Sequence, residues 1–332
     1  MGRYPFLTFT YRYLEEARAY LDEGTIKERK RTLKHFNQVF MQLKANGKIG
    51  TTDPTKFTEQ EVREFIVWMK KKGIDVNTQV NYLSFLNQLL VWCGNATIGR
   101  MRGKRLLPRK KEKEINSLSE QEVNHIIEST GKIGGWRGEI ARFLCAMYPY
   151  TGLRLKELRL AQRSDLNDVK WTIWVRHPKG ERRYGVQRTA PIPPPIRPIV
   201  RQYLKARKKQ LIKYGFDECE QLIPKITPSG TDYYSDKTIW YLKHKISELA
   251  GTDFKIKDFR ATFAQVHIDR GVQLQAVSKA MGHRTTQTTE RYYARIRDVS
   301  MFKQINGVWQ EPDDASAENP EIEKWKTLSG YV

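Results

Sequence analysis

Residues 255–295, KIKDFRATFAQVHIDRGVQLQAVSKAMGHRTTQTTERYYAR, decide how the rest of the chain is read. They hold a Lys-x-x-Arg pair, Lys257 and Arg260, then a Met-Gly-His turn at Met281, Gly282 and His283, and Tyr292 nine residues beyond that histidine. A tyrosine hydroxyl near fixed cations suits attack on a phosphodiester. The anionic transition state needs positive charge around the phosphate and proton donors for the attacking and leaving oxygens. One arginine is too little for that. Working outward, TGLRLKEL at residues 151–158 offers Arg154 at a helix start, with Glu157 three residues on and on the same helix face, placed to orient the guanidinium. The basic turn PKGERR at 178–183 offers Lys179, with Arg182 close behind it.

The charge balance points the same way. Lys and Arg number 59 against 37 Asp and Glu in 332 residues, a net charge of +22. A field of that size favours a polyanionic partner and salt-sensitive association, and nucleic acid is the expected one. The length suits about two domains. No apolar run reaches the roughly 20 residues of a membrane span. The start, MGRYPFLTFTYRYLEEARAY, lacks the uninterrupted apolar core and cleavage site of a signal peptide. A cytoplasmic, DNA-associated protein is expected. Cys93, Cys145 and Cys219 are an odd count without a C-x-x-C, so neither a disulfide framework nor a zinc site is expected. No cluster of Asp, Glu and His has metal-ligand spacing, and neither a metal nor another cofactor is anticipated.

Residues 1–100 read as a helical unit of four helices. The first spans about 7–22. Gly24 breaks the chain and Thr25 caps the second helix, which carries Ile26, Leu33, Phe36, Val39, Phe40 and Leu43 on one side. The other side is basic, with Lys27, Lys30, Arg31 and Lys34 as candidates for DNA backbone contact. Thr58 and Glu61 form a capping box that opens the third helix. The fourth, about 76–93, begins with polar residues, of which Thr78, Gln79 and Asn81 can meet phosphates or base edges. Residues 101–116 read as a basic linker, with Arg109, Lys110 and Lys111 candidates for phosphate contact.

A second capping box, Ser119 with Glu122, opens a domain at 117–305. A buried helix at about 137–150 leads into Arg154. Segments 171–176 and 186–193 read as strands joined by the basic turn. A loop is expected at 224–235, between helices at 196–214 and 236–249, the latter offering Lys243 to DNA. Residues 306–332 form an acidic tail.

At the boxes TGLRLKEL (151–158), KDFRATFA (257–264), Met281-Gly-His283 and Thr288-Thr-Glu-Arg-Tyr292, the chain resembles the tyrosine recombinases, the family of phage integrases and Xer proteins. The resemblance implies a mainly α, two-domain DNA clamp: an N-terminal helical core-binding domain and an α-rich catalytic domain with a small antiparallel β-hairpin. It implies site-specific cleavage and rejoining of DNA strands through a 3′-phosphotyrosyl link to Tyr292, without metal or ATP. Arg154 and Arg260 would hold the non-bridging oxygens, Lys179 would protonate the leaving 5′ oxygen, and His283 would assist at the phosphate. Lys257 replaces the family's more common histidine. It would act as base, its pKa lowered by neighbouring cations, or as a third phosphate ligand; this lysine tilts the reading toward an archaeal or viral mobile element. The family also implies a target with inverted repeats and a homotetramer at synapsis, monomeric or weakly dimeric when free, with the tail docking on a neighbour. An Xer-type chromosome-dimer resolvase and a catalytically silent DNA-binding protein on the same scaffold are the alternatives.

Overall fold

The computed structural model describes residues 5–111, 116–181 and 185–283, and the chain divides into two compact units, residues 1–114 and 115–332.

The first unit is helical: α1 (Pro5–Ala17), α2 (Glu23–Ala45), α3 (Glu59–Lys71), α4 (Val76–Trp92) and α5 (Thr97–Gly103). Phe40 is the centre of its core. Its ring centroid lies 5.1 Å from Phe6, 4.9 Å from Phe57 and 5.0 Å from Phe65, so residues from α1, α2, α3 and the α2–α3 connection converge on one aromatic cluster. The Thr58–Glu61 capping box forms as expected. The cap of α2 does not: Asp22, rather than Thr25, is the N-cap, and its carboxylate accepts from the Thr25 backbone N–H at 2.8 Å and from the Thr25 hydroxyl at 2.8 Å. A carboxylate at this position also meets the positive end of the helix dipole, so the helix starts three residues earlier and absorbs Gly24.

Helix α5 runs into the stretch expected to be linker. Ile98 and Met101 are fully buried in the first unit's core and Leu107 packs against it, so the unit extends beyond residue 100. Asn95 makes this extension possible. Its buried amide donates to the carbonyls of Pro54 and Phe57, each at 2.9 Å, and accepts from the Thr97 N–H at 2.9 Å. One side chain thus ties the α2–α3 connection to the start of α5.

The second unit contains α6 (Glu120–Ser129), α7 (Gly135–Thr151), α8 (Leu155–Arg159), β1 (Leu166–Asn167), β2 (Thr172–Val175), β3 (Arg188–Pro191), α9 (Arg197–Lys213), β4 (Pro224–Thr227), β5 (Gly230–Tyr233), α10 (Asp236–Ala250), α11 (Ile256–Asp269) and α12 (Leu274–Met281). The Ser119–Glu122 box opens α6. Helix α7 is buried almost all round, with Ile140, Phe143, Leu144 and Met147 among its inward residues, and α6, α9 and α11 pack around it. Strands β1, β2 and β3 form an antiparallel sheet in that order, with Val175 opposite Arg188 and Trp174 opposite Thr189. The expected loop at 224–235 is instead a second hairpin, β4–β5, in which Pro224 pairs with Tyr233 and Thr227 with Gly230. Its strands are short and half-buried, and carry no hydrophobic alternation to betray them.

Replacing Asn95 by alanine takes this partner from the Pro54 carbonyl and the Thr97 N–H and leaves the Phe57 carbonyl with the Thr97 hydroxyl at 3.0 Å. We expect a loss of about 2–3 kcal/mol, read as a lower chemical-denaturation midpoint of the full chain at unchanged helix content; an unchanged midpoint would show that the amide does not hold α5 in place.

Candidate active site

Helix α7 ends at Gly152, whose φ of 65° is left-handed. A Cβ there would sit 2.7 Å from the Phe263 ring, so both the turn and the approach of α11 require glycine. The chain then enters α8 with Arg154 at its N-cap. The Arg154 backbone N–H donates to Glu157 Oε2 at 2.9 Å, and its guanidinium donates to Glu157 Oε1 at 2.6 Å. The expected orienting role of Glu157 therefore has a geometry: one carboxylate fixes both the main chain and the side chain of Arg154.

Glu157 has a second cation. Arg188, the first residue of β3, donates to Glu157 Oε2 at 2.9 Å and to Oε1 at 3.3 Å, and its Nε donates to the Ala280 carbonyl at 2.8 Å. The Glu157 side chain is 1% exposed. Burial pushes its carboxyl up, but the hydrogen bond and charge of Arg188, together with the Arg154 charge and N–H, outweigh that and hold it below the usual carboxylate range.

Arg260, in α11, is buried and faces the same place. Its Nη1 donates to the Gly152 carbonyl, and its Nη2 donates to the Met281 carbonyl at 2.5 Å and lies 3.0 Å from His283 Nε2. A guanidinium can only donate, so Nε2 accepts and the imidazole is neutral with its proton on Nδ1. The electrostatics agree. Burial, then the charges of Arg260, Arg154 and Arg188, push the His283 pKa down to about 4, with Glu157 opposing. His283 follows Gly282, which ends α12 with φ 65°.

Four residues singled out in the sequence, Arg154, Glu157, Arg260 and His283, are thus brought together from α8, α11 and the end of α12. Lys179 is exposed in the turn after β2, where the Glu181 N–H donates to the Pro178 carbonyl at 3.2 Å and Gly180 adopts φ 76°. Lys257 is exposed in the first turn of α11, three residues before Arg260. Among the described residues, neither lysine joins the hydrogen-bond network around Glu157. Tyr292 and Arg182 lie outside the described residues.

Arg188 was not among the residues singled out, although a signal exists. In a strand, Arg188 shares a face with Ala190, which is fully buried. An arginine on an inward face needs a carboxylate, and Glu157 is one.

Of the DNA candidates, Lys27, Lys30, Arg31 and Lys34 are exposed along α2, and the ammonium groups of Lys30 and Lys34 each lie 5.7 Å from the Tyr11 ring centre. Asn81 is exposed and Thr78 half-buried on α4, and Arg109, Lys110 and Lys111 are exposed. Gln79 and Lys243 need correction as contacts. Gln79 is buried and donates to the Ile74 carbonyl at 2.7 Å, serving the turn before α4. Lys243 is 8% exposed, and its ammonium is bound to Asp253 at 2.9 Å, so its charge serves the α10–α11 connection. Exposed Trp240 and Tyr241 on α10, the latter with Lys237 over its ring at 5.7 Å, went unnoticed in the sequence.

The thiols show no sign of reactivity: burial pushes Cys93 up to about 11 and Cys145 up to about 12. Among the described residues, no group of three or more His, Cys, Asp or Glu side chains could hold a metal ion, and no helix is long and apolar enough to cross a membrane.

Residues 116–298 match the phage integrase family. The tyrosine recombinase XerA of Pyrococcus furiosus is 26% identical over 282 residues, covering 84% of this chain and 88% of the relative. Among solved structures, the Tn1549 transposon integrase in complex with a circular intermediate DNA superposes with a TM-score of 0.66 at 16% identity, over 90% of this chain and 99% of that one. The XerH site-specific recombinase bound to palindromic difH substrate gives 0.63 at 16% identity, over 93% and 98%. At such identities the two structures establish a shared fold.

The neutral His283 has a thermodynamic signature. As pH falls, the unfolded chain protonates this ring near 6.5, whereas the folded protein does so only near 4. The unfolded state binds more protons in that window, so stability falls as pH drops from 6.5 towards 4 and is unaffected above it. We expect His283→Gln to lose less stability than the wild type between pH 7 and pH 4, and the His283 ring to titrate near 4 by NMR; titration near 6.5 would contradict the network.

Proposed function

The chain belongs to the phage integrase family, and we propose on that premise that it cleaves and rejoins double-stranded DNA through a 3′-phosphotyrosyl intermediate on Tyr292. It is a tyrosine recombinase, an enzyme of site-specific recombination. The observation that carries the proposed chemistry is the convergence of Arg154, Arg260 and His283 from three separate sequence boxes.

Phosphoryl transfer of this kind depends on positioning and on fixed charge. Arg154 retains a partly exposed guanidinium, 26% by side chain, and is the group best placed to bind a non-bridging phosphate oxygen. Arg260 supplies a second cation, and this one is buried. His283, neutral in the DNA-free protein, becomes a stronger base when a phosphate anion arrives beside it, and holds or moves a proton there. Lys179, on the exposed β2–β3 turn, is the general acid for the leaving 5′ oxygen. Lys257, one turn ahead of Arg260, adds a cation at the phosphate or accepts the tyrosine proton. Attack by Tyr292 conserves the bond energy in the covalent link, so the reverse step rejoins the strand.

Outside the reacting centre, Lys27, Lys30, Arg31, Lys34, Thr78, Asn81, Arg109 to Lys111 and Arg182 are the proposed DNA contacts. The target is double-stranded DNA with inverted repeats, and the protein works in the cytoplasm on DNA. A homotetramer at synapsis, from monomers or weak dimers, follows the family's logic of four protomers on two DNA duplexes. An Xer-type recombinase is the form of this reading that the archaeal relative favours.

The test is incubation with supercoiled plasmid, without metal or nucleotide, stopped with detergent before and after protease. Relaxation and covalent DNA–protein species are expected for the wild type and Tyr293→Phe, lost with Tyr292→Phe and reduced about a hundredfold or more with Arg154→Ala or Lys179→Ala. Covalent species that persist in Tyr292→Phe would sink the assignment of the nucleophile. Identical behaviour of all variants would favour a silent DNA-binding scaffold.

A further inference from the structure

Arg188 has no part in the reaction proposed above, yet its guanidinium makes three directed contacts at the site. From strand β3, on which it sits, its three bonds reach two other places in the chain: two go to the Glu157 carboxylate in α8 and one to the Ala280 carbonyl near the end of α12. It also lies flat against Gly282, where an added Cβ would come within 2.7 Å of Nη1 and 2.9 Å of Cζ. The glycine before His283 is therefore the surface on which this guanidinium rests. On the strand, Arg188 is opposite Val175, the last residue of β2, so it sits at the base of the turn that carries Lys179.

We propose that Arg188 is a positioning residue: a strut that fixes the base of the Lys179 turn and the His283 end of α12 to the carboxylate that orients Arg154. This rests on the reaction proposed above, and it adds a residue that touches no reacting atom.

Two observations separate this role from a phosphate ligand. The side chain is only 10% exposed, against 26% for Arg154. Its Nε and both of its Nη nitrogens already donate to protein oxygens. A physical argument separates it from a mere stabiliser. A buried ion pair is seldom better for stability than well-packed apolar side chains, because desolvation offsets the attraction. What the bidentate fork does supply is a fixed distance and angle between segments 31 and 92 residues apart in sequence. Lysine offers one charge without the fork, and methionine offers length without charge, so the two substitutions divide geometry from electrostatics.

The experiment uses the full chain as wild type, Arg188→Lys and Arg188→Met. Hydrogen exchange is followed by mass spectrometry in peptides covering residues 176–181 and 274–283, with α7 as internal reference. Arg188→Met should raise exchange about tenfold in both peptides and leave α7 unchanged, because the two segments lose their common anchor. Arg188→Lys should fall between the two. In plasmid relaxation, Arg188→Met should be about a hundredfold slower, while DNA affinity and its dependence on salt stay as in the wild type. A salt slope reduced by about one unit would make Arg188 a phosphate ligand and overturn the proposal. So would wild-type exchange in Arg188→Met, or an Arg188→Lys protein equal to wild type on every readout. If Arg188→Met does not fold, Arg188→Lys alone decides, by whether its two peptides exchange faster while α7 does not. Should the wild type itself relax no plasmid and form no covalent species, the proposed reaction fails, and the exchange data still decide whether Arg188 is the strut.

Discussion

The site depends on a single buried carboxylate. Glu157 takes hydrogen bonds from two guanidiniums and a backbone N–H while almost wholly removed from water. An anion in that position without its partners would be expensive, roughly 3–5 kcal/mol by the usual cost of breaking a buried pair. With them, it becomes the point from which Arg154 and Arg188 are measured. Three arginines around one carboxylate leave two positive charges uncompensated, with His283 neutral. That excess is what a phosphate would neutralise. A second carboxylate would make the cluster more comfortable and less useful.

Arg260 is oriented by another device. It is held by main-chain carbonyls, those of Gly152 and Met281, where helices α7 and α12 end. Carbonyls at helix ends lack intrahelical partners and carry partial negative charge. They can fix a guanidinium without cancelling it. The same two helix ends carry left-handed glycines, one against Phe263 and one against Arg188. The glycines, the free carbonyls and the arginines therefore form one arrangement: the turn exposes the carbonyl, and the missing side chain lets the packing partner approach.

Much of this was legible in the sequence, and the gaps have physical reasons. The two capping boxes, the apolar face of α2 and the largely apolar α7 are local patterns, and the helices formed where those patterns lie. Arg154, Glu157, Arg260 and His283 could be singled out because their boxes are dense with functional residue types. Arg188 escaped because its role exists only across 31 and 92 residues of separation. Gln79 and Lys243 misled for the converse reason: each is a polar residue on an otherwise plausible outward stretch, turned inward by one partner that sequence spacing does not reveal, the Ile74 carbonyl and Asp253. Helix α5 was hidden in a run of charge because only Ile98 and Met101 anchor it. The β4–β5 hairpin has no alternation to display.

The resting state of His283 has a calorimetric consequence. Its Nε2 accepts from Arg260, and surrounding positive charge keeps the ring unprotonated. An anion entering the cluster reverses the local potential and raises the ring's proton affinity. Occupancy and protonation are then reciprocally coupled. Association draws protons from solution across the window between the two affinities. Its measured heat includes the ionisation enthalpy of whatever buffer surrenders them, so the same complex formed in phosphate and in Tris releases different heats.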